Sequence, residues 1–172
     1  MKTPSSAATL ELDEIDLRIL SLLQRDASLS NQALAEKVHL TPAPCLRRVK
    51  RLVDEGVIER TVALLNRSRL GLGVVAYAFV SLDSHRQGTG EPLEALVRSS
   101  PEIVECVRLS GEYDYLLRII VTSMQDYSRF LDERLLKCPS VRSVNTSFDL
   151  GVLKQTTALP LQALPPLPRS LS

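Results

Sequence analysis

The hydrophobic period of this chain changes once, and the change divides it into two separate folding problems. Between Leu12 and Glu55 apolar residues recur at helical spacing. From Val74 onward they alternate or run continuously, as strands do, with helical stretches between. A chain of 172 residues with 44% hydrophobic content has room for two small domains with a core each.

The first region reads as three helices. Asp13 is a helix cap, and Asp16, three residues on, favours the positive helix end. Ile15, Ile19, Leu22 and Leu23 then form one apolar stripe, which stops at Asp26-Ala27-Ser28. Ser30 caps a second helix over Asn31–Val38, with Leu34, Ala35 and Val38 inward. His39 and Leu40 make a short turn. Thr41-Pro42 opens a third helix with a capping hydroxyl and a proline at its first position, Pro44 lies within the first turn, and Gly56 ends the helix near Glu55.

The second region carries an internal repeat. Ser100-Pro-Glu-Ile-Val-Glu-Cys-Val107 resembles Cys138-Pro-Ser-Val-Arg-Ser-Val-Asn145; each follows a predicted helix and leads to a glycine, Gly111 or Gly151. The expected order is strand Val74–Leu82, helix Pro92–Ser99, strand Ile103–Leu109, strand Tyr115–Val121, helix Gln125–Leu136 and strand Val141–Leu150. Two β-α-β units joined this way give the ferredoxin-like βαββαβ arrangement. The fold class is α+β: an N-terminal helix-turn-helix domain joined by a hinge to a ferredoxin-like domain. Val74, Ala76, Ala78 and Val80 on one side of the first strand, and Val75, Tyr77 and Phe79 on the other, predict burial of both sheet faces and hence sheet-to-sheet dimers.

The expected boundaries are an arm over 1–11, the helix-turn-helix domain over 12–65, a hinge over 66–73, the ferredoxin-like domain over 74–159 and a proline-rich tail over 160–172. Glu59 to Leu65 is a short strand or a connector.

Composition narrows the function. No apolar run reaches the ~18 residues of a membrane span, and Met1–Leu10 lacks the apolar stretch of a secretory signal. Three cysteines, an odd number without metal-ligand spacing, and two histidines predict no metal site and a reduced, cytoplasmic protein. Cys45 and Cys106 read as packing residues, Cys138 as an accessible thiol. With no Trp and 4% aromatics, a stacking surface for single strands is disfavoured. Gly88-Thr-Gly90 lacks a phosphate-binding pattern, His85 has no metal partner nearby, and no nucleophile–base arrangement emerges. No cofactor is expected.

The net charge of +1 does not exclude nucleic acid, because local clustering matters more than the sum. Thr41–Val53 holds Arg47, Arg48, Lys50 and Arg51 and no acid, whereas Gly71–Ser172 holds ten basic and eleven acidic residues. Helices two and three stand at helix-turn-helix spacing. A helical wheel puts Leu46, Val49, Leu52 and Val53 on one side and Pro44, Arg47, Arg48 and Arg51 on the other. A basic helix of this kind fits the major groove of double-stranded DNA. Arg47 is placed to read a base edge; Arg48, Lys50 and Arg51 are placed to grip phosphate. Ser30, Asn31 and Gln32 offer a helix start to a phosphate. With Thr41, Pro42 and Pro44 at the start of the third helix, these residues form the candidate DNA-contacting set. The competing reading is a solvated charged face.

Leu12-Asp-Glu-Ile-Asp-Leu-Arg-Ile-Leu20, Leu40-Thr-Pro-Ala-Pro-Cys-Leu-Arg-Arg-Val-Lys-Arg-Leu52 with Glu55-Gly-Val-Ile58, and Leu109-Ser-Gly-Glu-Tyr-Asp-Tyr-Leu-Leu117 together resemble the leucine-responsive/asparagine-type (feast/famine) transcriptional regulators. The resemblance spans about Leu12 to Leu159. It implies a winged or hinged helix-turn-helix reader, dimers through the sheet that assemble into octamers or higher forms, and a small amino-acid effector bound between dimers. Carried to this chain, the effector site is Ser110, Gly111 and Asp114, with Thr146, Ser147 and Phe148 from a neighbour. Independently, Gly111 lets backbone N–H groups approach a carboxylate, and Asp114 suits an ammonium; a plain hairpin turn is the simpler alternative. Two further readings stay open: an architectural DNA-binding protein without effector, and a siroheme-decarboxylase-like enzyme on the same scaffold.

Overall fold

The computed structural model describes residues 11–83 and 90–163. These fall in two compact units: residues up to Ala63 together with those from Lys154 onward, and Leu64–Leu153. The arm over Met1–Leu10, His85 and its glycine-rich neighbours up to Thr89, and the tail from Leu164 lie outside the described residues.

In the first unit three helices form, α1 (Glu14–Leu23), α2 (Asn31–Lys37) and α3 (Pro42–Asp54). The start of α1 is a reciprocal cap: the Asp16 amide donates to Asp13 Oδ1 at 2.8 Å, and the Asp13 amide donates to Asp16 Oδ2 at 3.1 Å. Ser30 caps α2 by accepting from the Ala33 amide at 3.2 Å. Thr41 holds the capping backbone geometry of α3, but its hydroxyl makes no capping bond. Pro44, at the third helical position, has no N–H to give it. The turn between α2 and α3 runs through His39, whose φ of 58° is left-handed. Ile19, Leu34, Ala35, Val38, Cys45 and Leu52 form the buried core. Leu46 and Val53, expected inside, are 56% and 48% exposed.

From Lys154 the chain belongs to this same unit. Gln24 clamps it with one side-chain amide: its Nε2 donates to the Leu159 carbonyl at 3.1 Å and its Oε1 accepts from the Leu159 amide at 2.9 Å. Residues 154–159, expected at the end of the sheet domain, pack with the helical unit.

Residues 59–65 form no regular element, and Val62, Leu64 and Leu65 are exposed. The expected hinge is structured within the second unit. Arg67–Leu70 is a single 3₁₀ turn capped by Asn66, and Gly71 follows at φ +75°. Arg67 donates to Asp149 Oδ2 at 3.1 Å and to the Gly73 carbonyl at 3.2 Å.

The second unit is the expected βαββαβ: β1 (Val74–Leu82), α4 (Glu91–Ser99), β2 (Ile103–Arg108), β3 (Tyr115–Val121), α5 (Met124–Phe130) and β4 (Val141–Phe148). The sheet order is β2-β3-β1-β4, antiparallel throughout. The helix predicted over Gln125–Leu136 divides: after α5 it widens into a π turn, Leu131–Leu135, where the Leu136 amide reaches the Leu131 carbonyl at 2.9 Å. The repeat is structural, since Ile103 donates to Ser100 O and Val141 to Cys138 O at 3.1 and 3.0 Å, and each bond opens a strand.

Ala76, Ala78, Val80, Leu117 and Ile119 pack under Leu93, Tyr127, Phe130 and Leu135 of the helical layer. On the other sheet face Val75 is buried, but Tyr77, Phe79, Leu116, Arg118 and Ile120 are only half-buried. One chain therefore covers one face and leaves the other half-open. Cys138, expected accessible, is buried with its Sγ 3.5 Å from Ser140 Oγ.

Candidate DNA interface and effector turn

The core fixes the rotation of α3. Cys45, Arg48, Val49 and Leu52, at i, i+3, i+4 and i+7, face inward. Arg48 belongs to this set because Asp16 is wholly buried on α1 and needs cationic partners. Arg48 Nη1 meets Asp16 Oδ1 at 2.9 Å and Asp13 Oδ2 at 2.6 Å, and Arg51 Nη2 bonds to the other Asp16 oxygen. Burial opposes the charge on Asp13, but the Asp16 amide and the Arg48 guanidinium outweigh it and hold the carboxyl below its usual range.

The expectation that Arg47, Arg48 and Arg51 project together is thereby corrected. Arg48 and Arg51 spend their guanidinium groups on Asp16, which the wheel could not register. The outward face of α3 consists of Ala43, Leu46, Arg47, Lys50, Val53 and Asp54. Arg47 and Lys50 are exposed, and no ion pair among the described residues engages either.

The start of α2 lies beside the start of α3. Asn31 Nδ2 donates to the Pro42 carbonyl at 2.9 Å and ties the two together. Ser30 spends its hydroxyl on the cap, and Gln32 reaches Glu36 Oε1 at 3.4 Å. Thr41, Pro42 and Ala43 are exposed and Pro44 half-exposed. Residues 30–32 and 41–47 thus stand around one helix-turn-helix corner.

In the second unit Ser110 and Gly111 form the exposed turn between β2 and β3, with Gly111 at φ +149°. Only glycine adopts that conformation without strain. The Leu109 amide donates to the Asp114 carbonyl at 2.9 Å and closes the hairpin. The Asp114 side chain has a structural task as well, since its Oδ2 accepts from the Leu82 amide at 2.8 Å, next to the irregularity in the β1–β4 register at Ser81/Leu82.

Thr146, Ser147 and Phe148 do not share a face. Thr146 bonds to the Tyr127 hydroxyl, and the Phe148 ring meets Tyr127 edge-on at 5.1 Å, both on the helical side. Ser147, opposite Tyr77, lies on the open face. The Asp114 amide bonds to Val80, whereas Phe148 pairs with Ala76, four residues along β1 and about 13 Å away at strand rise.

A cleft of about 320 Å³ lies elsewhere in this unit, lined by Leu72, Glu102, Thr122, Asp126, Phe130 and Arg134 among others. Within it Arg134 is 3.7 Å from Glu102, and Arg129 is 3.5 Å from Asp126. Sequence periodicity gave no sign of it. No cluster of three metal-ligating side chains occurs among the described residues, and no described helix is long and apolar enough to cross a membrane.

A family described as winged helix-turn-helix DNA-binding matches residues 12–59, and the Lrp/AsnC ligand binding domain matches residues 75–159. No strand forms a wing among the described residues of the first unit. The DNA-binding transcriptional activator DecR of Escherichia coli is 40% identical over 151 residues, covering 88% of this chain and 99% of its own. The leucine-responsive regulatory protein of Haemophilus influenzae is 39% identical, covering 88% and 91%. Among solved structures, the transcriptional regulator NMB0573 of Neisseria meningitidis, in complex with L-Met, superposes with a TM-score of 0.84 at 41% identity over 87% of this chain and 97% of that one. These relatives are regulators rather than enzymes.

Proposed function

Because this chain belongs to the Lrp/AsnC family of DNA-binding, amino-acid-sensing transcriptional regulators, we propose which of its parts read DNA and which sense the effector. Arg47 reads a base edge, and Lys50, with the corner made by Ser30–Gln32 and Thr41–Pro44, meets phosphate. The observation that carries this is the outward face of α3, where Arg47 and Lys50 stand exposed while Asp16 occupies Arg48 and Arg51. Arg48 and Arg51 orient the helix more than they grip DNA.

The sensing site is the Ser110–Gly111 turn of one copy, completed by β4 of another; no cofactor takes part. The half-buried sheet face, with Tyr77, Phe79, Leu116 and Ile120, packs against its equivalent in a homodimer, and dimers assemble to octamers or higher forms in the cytoplasm. A small amino acid is the effector, and the L-Met complex of the Neisseria relative puts methionine first among those to try.

The test is binding to a labelled fragment of the gene's own upstream region. Scrambled competitor is present, at two salt concentrations, with and without an amino-acid pool. Specific binding that shifts with the pool supports the reading, and Arg47→Ala then costs about 1–3 kcal/mol of specific affinity if the contact is bidentate. Equal competition by scrambled DNA, erased by salt, would replace it with an architectural role.

A further inference from the structure

Leu46 has no place in the core. The rotation of α3 is pinned by Cys45 and Leu52 on its inner face and by Arg48 and Arg51 on Asp16, so the helix cannot turn to tuck Leu46 away. The side chain is 56% exposed on the outward face, one residue before Arg47 and one turn before Lys50, with Ala43 exposed one turn ahead of it. An exposed leucine alone needs no explanation. This one sits within the basic, acid-free stretch of α3, where no carboxylate occurs before Asp54. That charge suits a polyanion and not an apolar protein surface. In the major groove the apolar group available to such a side chain is the 5-methyl group of thymine.

We infer that Leu46 is a specificity-determining residue that contacts a thymine 5-methyl group beside the base read by Arg47. The inference rests on the DNA-binding reading above. Leucine offers no hydrogen bond, so it selects thymine over the other bases through the methyl alone. The preferred site therefore carries a thymine at a fixed position in each half-site.

Deoxyuridine removes only that methyl and leaves base pairing intact. The full chain is first used to select its preferred duplex from a random pool. Each thymine is then replaced by deoxyuridine in turn, and affinity is measured for the wild type, Leu46→Ala, Leu46→Met and Arg47→Ala. One thymine per half-site is expected to weaken wild-type binding about fourfold when its methyl is removed. Leu46→Ala should bind thymine and deoxyuridine sites equally. Leu46→Met, which stays apolar, should keep part of the discrimination. Arg47→Ala should bind more weakly to both while preserving their ratio. Deoxyuridine without effect at every position would overturn the inference, as would a Leu46→Ala variant that keeps the full discrimination. In either case the DNA-binding reading stands. A wild type that selects no sequence would overturn both.

Discussion

Asp16 is a buried carboxylate at the contact of α1 with α3, and it serves two roles at once. Its amide and side chain complete the cap of α1, and its two oxygens hold Arg48 and Arg51. Asp16→Asn should lower the stability of the helical unit by about 2–3 kcal/mol in urea unfolding followed by circular dichroism. That is less than the cost of breaking a fully buried pair, because both arginines are partly exposed and can turn to water. Asp13 adds a pH dependence. Its folded pKa lies below the unfolded value, so its contribution is complete above the unfolded value, about 3.9, and is lost as pH falls through the lower folded value. Acid unfolding of wild type should therefore steepen below about pH 4, and Asp13→Asn should flatten that limb. The cap was legible in the sequence because Asp13 and Asp16 lie three residues apart. The ion pairs were not, since their partners lie 32 and 35 residues away.

At the scale of elements, the order of helices and strands was readable from hydrophobic period, and most ends fell within two residues of expectation. The phase of α3 was not. Its apolar residues Leu46, Val49, Leu52 and Val53 suggested an inner face rotated away from the true one, because an arginine turned inward to a buried carboxylate is invisible to a count of apolar positions. The π turn after α5 escaped notice because the apolar spacing Phe130, Leu131, Leu135 suits an ordinary helix too. The turn before α3 gives a further test. His39 is exposed and held at φ 58°, where a side chain costs about 1–2 kcal/mol that glycine avoids. His39→Gly should raise the melting temperature, with a gain of about 0.5–1 kcal/mol once the greater freedom of glycine in the unfolded chain is set against it.

For the whole molecule, the sheet face opposite the helices is where the proposed homodimer can be tested. Leu116, Ile120, Tyr77 and Phe79 are half-buried there, and Arg118 Nε is buried without a hydrogen-bond partner among the described residues. Leu116→Glu places a charge in the middle of that face. It should shift sedimentation towards monomers while leaving the circular dichroism spectrum intact; unchanged assembly would show that the subunits meet elsewhere. The apolar pattern of β1 made this second face legible in the sequence, but not which residues complete the proposed effector site, because Thr146 to Phe148 alternate between the two faces.

The clamp of Gln24 on Leu159 changes the connectivity of the chain. With residues beyond Lys154 returned to the helical unit, the sheet domain is an insertion joined to the reader by two chain crossings, near Ala63 and near Leu153. One cut between the units therefore leaves them covalently joined, whereas a chain with a single crossing would fall into two pieces.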